Sequence, residues 1–301
     1  MNIRPTSTKY SRRGFAQLIG GATFGMACSH RAFAEEVVAS PLVTGFGVCT
    51  SFADYPHLKG VGFQYVEDNT RRLLRPDVAD EVVAGELNRI VQEKIRVHAC
   101  NGFLPAELKC TGPNPNHEEI LKWADVAFKR GGKIGIKGIV FGSGPSRKIP
   151  EGFDRKEAEA QFVSLLKKMA PLAEAQGVEI WLEPLRREEV NFINTQIEGA
   201  AIVDQVNHPS LGMVCDIFHV ISNEEPPEVI EKCIRHIRHC HIAEKEGRQA
   251  PGVKLYDFKP YLRALKSGGY SSTMSIECRW KNMEKQAEGA LEYLRGQIKE
   301  I

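Results

Sequence analysis

The sequence predicts an α/β protein, a single-domain (β/α)8 TIM barrel, on three observations. From residue 43 onward, short apolar or β-branched runs alternate with longer segments of helical periodicity. Eight such runs occur, at residues 44–50, 62–67, 95–101, 136–141, 178–183, 212–216, 237–242 and 273–277. The last four each end on, or next to, a side chain that can bind a metal.

The intervening stretches read as helices, the first of them short. Residues 78–93 and 116–130 carry apolar side chains at three- and four-residue spacing. The longest helical stretch is 154–176, where Pro171 predicts a kink or break and Gly177 a stop. Residues 284–298 close the domain. A barrel typically needs about 250 residues, which the 301-residue chain supplies. The rival is a doubly wound open sheet. No G-x-G-x-x-G opens a helix after the first strand, so the dinucleotide fold lacks its marker and no nucleotide cofactor is expected. No linker or repeat divides residues 35–301.

Residues 1–34 differ in kind. Ser11-Arg12-Arg13-Gly14-Phe15 precedes a weakly apolar run, and Ala32-Phe33-Ala34 offers small residues for cleavage. This resembles a twin-arginine export signal and implies a periplasmic or exported protein. The apolar run is too short for a membrane span of ~20 residues. Cys28 is a weaker candidate for lipid anchoring, because Gly25-Met26-Ala27 makes a poor lipobox. Beyond the leader, seven of the eight cysteines remain, an odd number without CxxC or zinc-finger spacing. Several lie in apolar runs and read as buried free thiols. The formal net charge of +2, with no basic stripe, gives no sign of nucleic-acid binding.

The chemistry concentrates at the later strand ends. Ile180-Trp181-Leu182-Glu183, Met213-Val214-Cys215-Asp216, His239-Cys240-His241-Ile242 and Met274-Ser275-Ile276-Glu277 each pair an apolar run with a ligand. Glu183, Asp216, His241 and Glu277 are separated by 33, 25 and 36 residues. One βα unit is about 31 residues, so each unit delivers one ligand to the C-terminal mouth. A single acidic strand end is ordinary; four in succession are not, since charged groups are seldom buried unless paired or metal-bound. Three carboxylates and one imidazole favour Mn2+, with Mg2+ or Co2+ as alternatives.

These segments resemble the sugar isomerases and epimerases of the xylose-isomerase-like barrel superfamily, near ketose 3-epimerases and hydroxypyruvate isomerases. The likeness rests on Trp181-Leu182-Glu183-Pro184-Leu185, Cys215-Asp216-Ile217-Phe218-His219 and His239-Cys240-His241-Ile242-Ala243-Glu244. Arg248 with Pro251-Gly252, Ser275-Ile276-Glu277, Val140-Phe141-Gly142-Ser143-Gly144 and Tyr65-Val66-Glu67 extend it over most of residues 43–298. The resemblance implies that Glu183, Asp216, His241 and Glu277 bind one metal ion. It implies that Glu183 and Glu277 are also the acid/base pair, and that His219 and Arg248 hold substrate oxygens. Self-association is common in the family, and nothing in the sequence sets a subunit number.

Other residues are weighed beside these. Glu67 reads as a strand end facing the mouth, with substrate contact as its functional reading. His98 and Asn101 are weaker candidates. His239 shares a strand face with His241 and reads either as support from a deeper layer or as a core histidine. Trp181 and Trp280 read as core or rim packing ahead of a sugar platform, and Phe46 and Phe218 as packing or pocket wall. Gly142-Ser143-Gly144-Pro145 reads as a tight βα turn, because it lacks the Lys-Ser/Thr of a phosphate loop.

The expected reaction is isomerisation or epimerisation of a sugar, keto-sugar or related hydroxy-carbonyl compound through an enediolate. A lyase, either a dehydratase or a keto-glycoside-cleaving enzyme, would use the same first half-reaction. An abasic-site endonuclease of the same superfamily would need more strand-end histidines than this chain, with nine in all, provides. A purely sugar-binding barrel has no use for paired carboxylates around a metal.

Overall fold

The computed structural model describes residues 41–301. The predicted leader, with Arg12, Arg13 and Cys28, lies outside the described residues. Eight parallel strands close into a barrel in chain order. They are β1 (Val43–Cys49), β2 (Tyr65–Asn69), β3 (Val97–Asn101), β4 (Gly138–Phe141), β5 (Glu179–Leu182), β6 (Leu211–Asp216), β7 (Ile237–Ile242) and β8 (Ser272–Ile276). Closure comes from β1 on β8, with Phe46 opposite Met274 and Val48 opposite Ile276. Each predicted strand corresponds to an observed one, and the differences lie at the ends.

Strand β2 starts three residues late and runs two further than expected. Its approach is blocked by Gly62, which sits at φ 110° and caps the helix Tyr55–Val61 by donating its N–H to Leu58. The chain therefore becomes extended only at Tyr65. Pro171 does not break its helix, which runs from Arg155 to Glu174. The proline removes the hydrogen bond to the Lys167 carbonyl, but both residues lie on the exposed face, so that carbonyl is not stranded in the core. The helix ends one turn later, before Gly177 at φ 66°.

The main apolar core lies between the barrel and its helices. Inside the barrel the apolar cluster is small: Ala99, Val140, Trp181 and Val214. Room for the Trp181 indole comes from Gly138 on the neighbouring strand, where any Cβ would collide with the ring. The rest of the interior is polar. Glu67, His239, His241 and Ser275 are all fully buried there. All seven cysteines among the described residues are free thiols, and five are buried. No described helix is long and apolar enough to cross a membrane.

Candidate metal centre

Four consecutive strands bring the predicted ligands to one point. Glu183 follows the last residue of β5, Asp216 ends β6, His241 lies in β7 and Glu277 follows β8. Each offers one donor atom, and the four atoms lie within 4.8 Å of one another. His241 Nδ1 is 3.3 Å from Glu183 Oε1 and 3.1 Å from Glu277 Oε2. Asp216 divides its two oxygens. Oδ1 accepts from the Phe218 N–H at 2.8 Å, capping the helix Ile217–Ser222, and Oδ2 faces the centre.

A cluster of three carboxylates, two of them buried and Glu277 partly so, demands positive charge. Burial pushes the Asp216 carboxyl up to about 7, against the pull of Arg248, with Glu183 and Glu277 adding to the rise. Burial also raises Glu183, aided by Glu277. Burial opposes ionisation of Glu277 too, but Arg248 and His241 outweigh it and hold that carboxyl down at about 2. Burial works against charge on His241; even so, Glu67, Cys49 and Glu277 lift it well above the usual imidazole range. The surroundings thus favour a cation at the centre. The donors, three oxygens and one nitrogen, are those a hard divalent ion takes. Gly142 keeps the space open, since a Cβ there would run into Glu183 Oε2.

Arg248 supplies fixed charge at the rim. Its Nη2 donates to Asp216 Oδ2 at 2.9 Å and to Glu277 Oε2, and its Nε donates to the Glu277 carbonyl at 3.1 Å. The guanidinium lies 4.6 Å over the Phe218 ring, with Arg186 5.1 Å from the same ring. The segment carrying Arg248 is tied down by Glu244, a fully buried residue. Its carboxylate accepts backbone N–H groups from Gly252 (2.9 Å), Lys254 (2.6 Å) and Tyr256 (3.3 Å).

His219 is buried beside Asp216, its Nε2 3.5 Å from Oδ2. The Arg186 backbone N–H donates to its Nδ1 at 3.2 Å, so the ring proton resides on Nε2. That N–H has no hydrogen-bond partner among the described residues, which leaves a donor free for a ligand. A cavity of about 290 Å³ opens above the centre, lined by Arg186, Glu189, Phe218, Lys245, Arg248 and Glu277 among others.

Glu67 is placed otherwise than its strand-end reading predicts. Because β2 continues to Asn69, Glu67 lies mid-strand, one layer below the mouth, and does not line that cavity. Its Oε2 is 3.2 Å from His239 Nε2 and 3.0 Å from His241 Nε2. Burial would raise this carboxyl, but the two histidines hold it well below the usual range. His239 is in the deeper layer, 5.1 Å from the Trp181 ring and nearly parallel to it at 24°. His98 is also interior, hydrogen-bonded to Thr273 Oγ1 at 3.0 Å, and burial with neighbouring His239 lowers its pKa to about 3. Asn101 reaches the centre by donating from Nδ2 to Glu277 Oε1 at 3.3 Å. Trp181 packs inside the barrel, Phe46 is buried off the cavity, Trp280 is half-buried and Phe218 forms the wall. Ser143 makes the tight turn after β4 at φ 36°.

Sequence reasoning did not single out Arg186 and Glu189, an ion pair at 2.8 Å beside the cavity. The signal was available, since both lie in the charged βα loop directly after Glu183, and barrel active sites are built from such loops.

A family model described as a xylose isomerase-like TIM barrel matches residues 57–297. The chain belongs to this family. Among curated relatives of this xylose isomerase-like barrel is an L-ribulose 3-epimerase of Methylomonas sp. It is 27% identical over 259 residues, covering 78% of this chain and 87% of the relative. A D-psicose 3-epimerase of Ruminiclostridium cellulolyticum is 31% identical over 125 residues, which span 41% of this chain and 42% of the relative. The crystal structure of D-psicose 3-epimerase with D-tagatose from Clostridium cellulolyticum H10 superposes with a TM-score of 0.73 at 22% identity. It covers 84% of this chain and 99% of that one, a likeness of fold.

Proposed function

We propose that the protein is a divalent-metal-dependent isomerase or epimerase of a sugar or related hydroxy-carbonyl compound. The observation that carries this reading is the pair Glu183 and Glu277, two carboxylates meeting at one imidazole nitrogen from different strands of the mouth. The relatives named as 3-epimerases support it. A divalent ion at this centre, Mn2+ by preference, would polarise a carbonyl and its neighbouring hydroxyl and so acidify the intervening C–H.

The chain's own residues have distinct tasks. Glu183, Asp216, His241 and Glu277 hold the ion. Glu183 and Glu277 also move the proton, one removing it and the other returning it. Such general acid–base help is worth typically about 10²–10⁴-fold. The Nε2–H of His219 and the guanidinium of Arg248 donate to substrate oxygens, fixing which carbon faces the carboxylates. Phe218 forms one wall of the cavity.

The test is deuterium exchange at the carbon beside the carbonyl, across a panel of keto-sugars with Mn2+ present. Exchange by the natural protein and its loss in Glu183→Gln and Glu277→Gln is the expected result. No exchange on any substrate, or exchange unaffected by both changes, would refute the assignment. Product mass then separates isomerase from lyase, since only a lyase loses water or a glycosyl group.

The twin-arginine reading of residues 1–34 is part of the proposal and rests on Arg12, Arg13 and the run that follows. A reporter fused to residues 1–40 should be exported, and Arg12→Lys with Arg13→Lys should stop it. Retention of the unaltered fusion in the cytoplasm overturns this reading.

A further inference from the structure

Barrel interiors are ordinarily filled by branched apolar side chains. Here a line of polar groups runs beneath the metal centre. Thr273 Oγ1 is 2.8 Å from His239 Nδ1. His239 Nε2 is 3.2 Å from Glu67 Oε2 and 3.1 Å from Ser275 Oγ. Glu67 then meets His241 Nε2 with both oxygens, at 3.1 and 3.0 Å. All of Glu67, His239, His241 and Ser275 are fully buried, so water cannot stand in for a missing partner.

This geometry fixes where the protons are. An ionised carboxylate only accepts hydrogen bonds. Each ring nitrogen facing Glu67 must therefore donate. His239 carries its proton on Nε2, and its Nδ1 accepts from the Thr273 hydroxyl. His241 likewise keeps a proton on Nε2 toward Glu67; the second proton of the metal-free ring sits on Nδ1, where a cation at the centre would displace it and take the lone pair. That is the nitrogen beside Glu183 and Glu277.

We propose that Glu67 is a positioning residue that makes His241 a metal ligand: it holds the proton on Nε2, fixes the ring plane, and so presents Nδ1 as an electron-pair donor to the cation. The inference rests on the metal-centre reading above and deepens it. Glu67 does not line the cavity, so it acts through His241 and not on substrate. A carboxylate behind a ligating histidine also makes the ring a stronger donor. Cys49 bears on the rival arrangement. Its Sγ lies 4.0 Å from His241 Nε2, and Cys49, Glu67 and His241 together have the closeness of a second metal site. A nitrogen that donates its proton to Glu67 cannot also bind an ion, so the two arrangements exclude each other.

The experiment uses the full chain and two variants, Glu67→Gln and Glu67→Ala. Mn2+ is titrated into each and the free ion is followed by electron paramagnetic resonance. Histidine ring nitrogens are read by 15N NMR with Mg2+ present. Glutamine keeps the volume of Glu67 but turns one acceptor into an N–H2 group facing an N–H. The expected result is one Mn2+ per natural chain, bound about 10- to 100-fold more weakly by Glu67→Gln. In the natural protein, His241 is protonated on Nε2 alone. A purely packing role for Glu67 would lower the melting temperature while leaving the Mn2+ affinity and the tautomer signal of the glutamine variant unchanged; that result overturns the inference. So does a second Mn2+ per chain that disappears in Glu67→Gln. Should the natural chain bind no Mn2+, the metal-centre reading fails, and a His241 tautomer unchanged by Glu67→Gln separately refutes the pairing with Glu67. Failure of Glu67→Ala to fold leaves the glutamine variant to decide.

Discussion

Gly142 offers the sharpest perturbation of the centre. Its φ lies outside the left-handed region, so alanine meets no backbone strain there. The added Cβ would overlap Glu183 Oε2, whereas the next atom, Leu185 Cδ2, is at an ordinary 3.5 Å. One contact must give, and it is the free end of a side chain. Restoring van der Waals separation moves that carboxylate by about 1 Å. A displacement of that size in a reacting group costs about 10²-fold in rate, or ~2.7 kcal/mol of transition-state stabilisation. Global stability should hold or rise by about 0.4–1 kcal/mol, because alanine restricts the unfolded chain. The assays are α-carbon deuterium exchange, Mn2+ titration and thermal unfolding on the same preparation. Gly142→Ala should lose exchange and weaken Mn2+ binding at an unchanged or higher melting temperature. Natural exchange rate together with natural Mn2+ affinity would refute the placement of Glu183. Gly138→Ala provides the contrast: its Cβ meets the Trp181 ring inside the barrel, where nothing can retreat. Overpacking there should remove about 1–3 kcal/mol of stability.

Arg248→Lys should reduce kcat/KM by about tenfold or more, because one ammonium cannot bond Asp216 and Glu277 while also covering the Phe218 ring. Steady-state kinetics on the substrate found by exchange tests this, and an unchanged kcat/KM counts against it. Glu225 gives a pH prediction. Burial raises its carboxyl to about 7, although the Gln196 N–H at 3.0 Å favours the ion. The folded state then holds a proton that the unfolded state has lost, so stability falls as pH rises from the ordinary carboxyl value through 7. Glu225→Gln should flatten that dependence, as measured by urea unfolding across pH 4–8, and an equally steep slope in the variant is the adverse result. Arg130 is buried and donates to the carbonyls of Leu74, Arg75 and Val78 and to Asp80. Arg130→Met should cost about 3 kcal/mol by stranding those carbonyls, and a melt within a degree of the natural protein would contradict it.

The barrel and the gathering of Glu183, Asp216, His241 and Glu277 at its mouth were legible because their signals are local and repeated. An apolar run ending on Glu183 or Asp216 needs no knowledge of its neighbours, and spacing at one ligand per βα unit links them. What escaped the sequence depended on registers and layers. Glu67 reads as a strand end until one sees that Gly62 delays β2 and lets it run to Asn69. His239 stays ambiguous because alternation gives a face but not a depth. Asn101 bonds Glu277 across 176 residues of sequence, which no window on the chain reveals. Arg186 and Glu189 resemble any solvated charge pair until the loop that follows β5 is folded over the cavity.

The anchoring of residues 243–258 by Glu244 has a consequence for turnover. Ordering a chain segment costs roughly 1–2 kcal/mol per residue. A small ligand bound at millimolar to micromolar strength yields only about 4–8 kcal/mol. A segment of this length that ordered only on capture would consume that free energy several times over. With three backbone N–H groups already closed on one carboxylate, the ordering entropy is met when the chain folds. Capture of a ligand then need not wait for this segment to fold. The binding energy of a small molecule stays available to lower the barrier to its reaction.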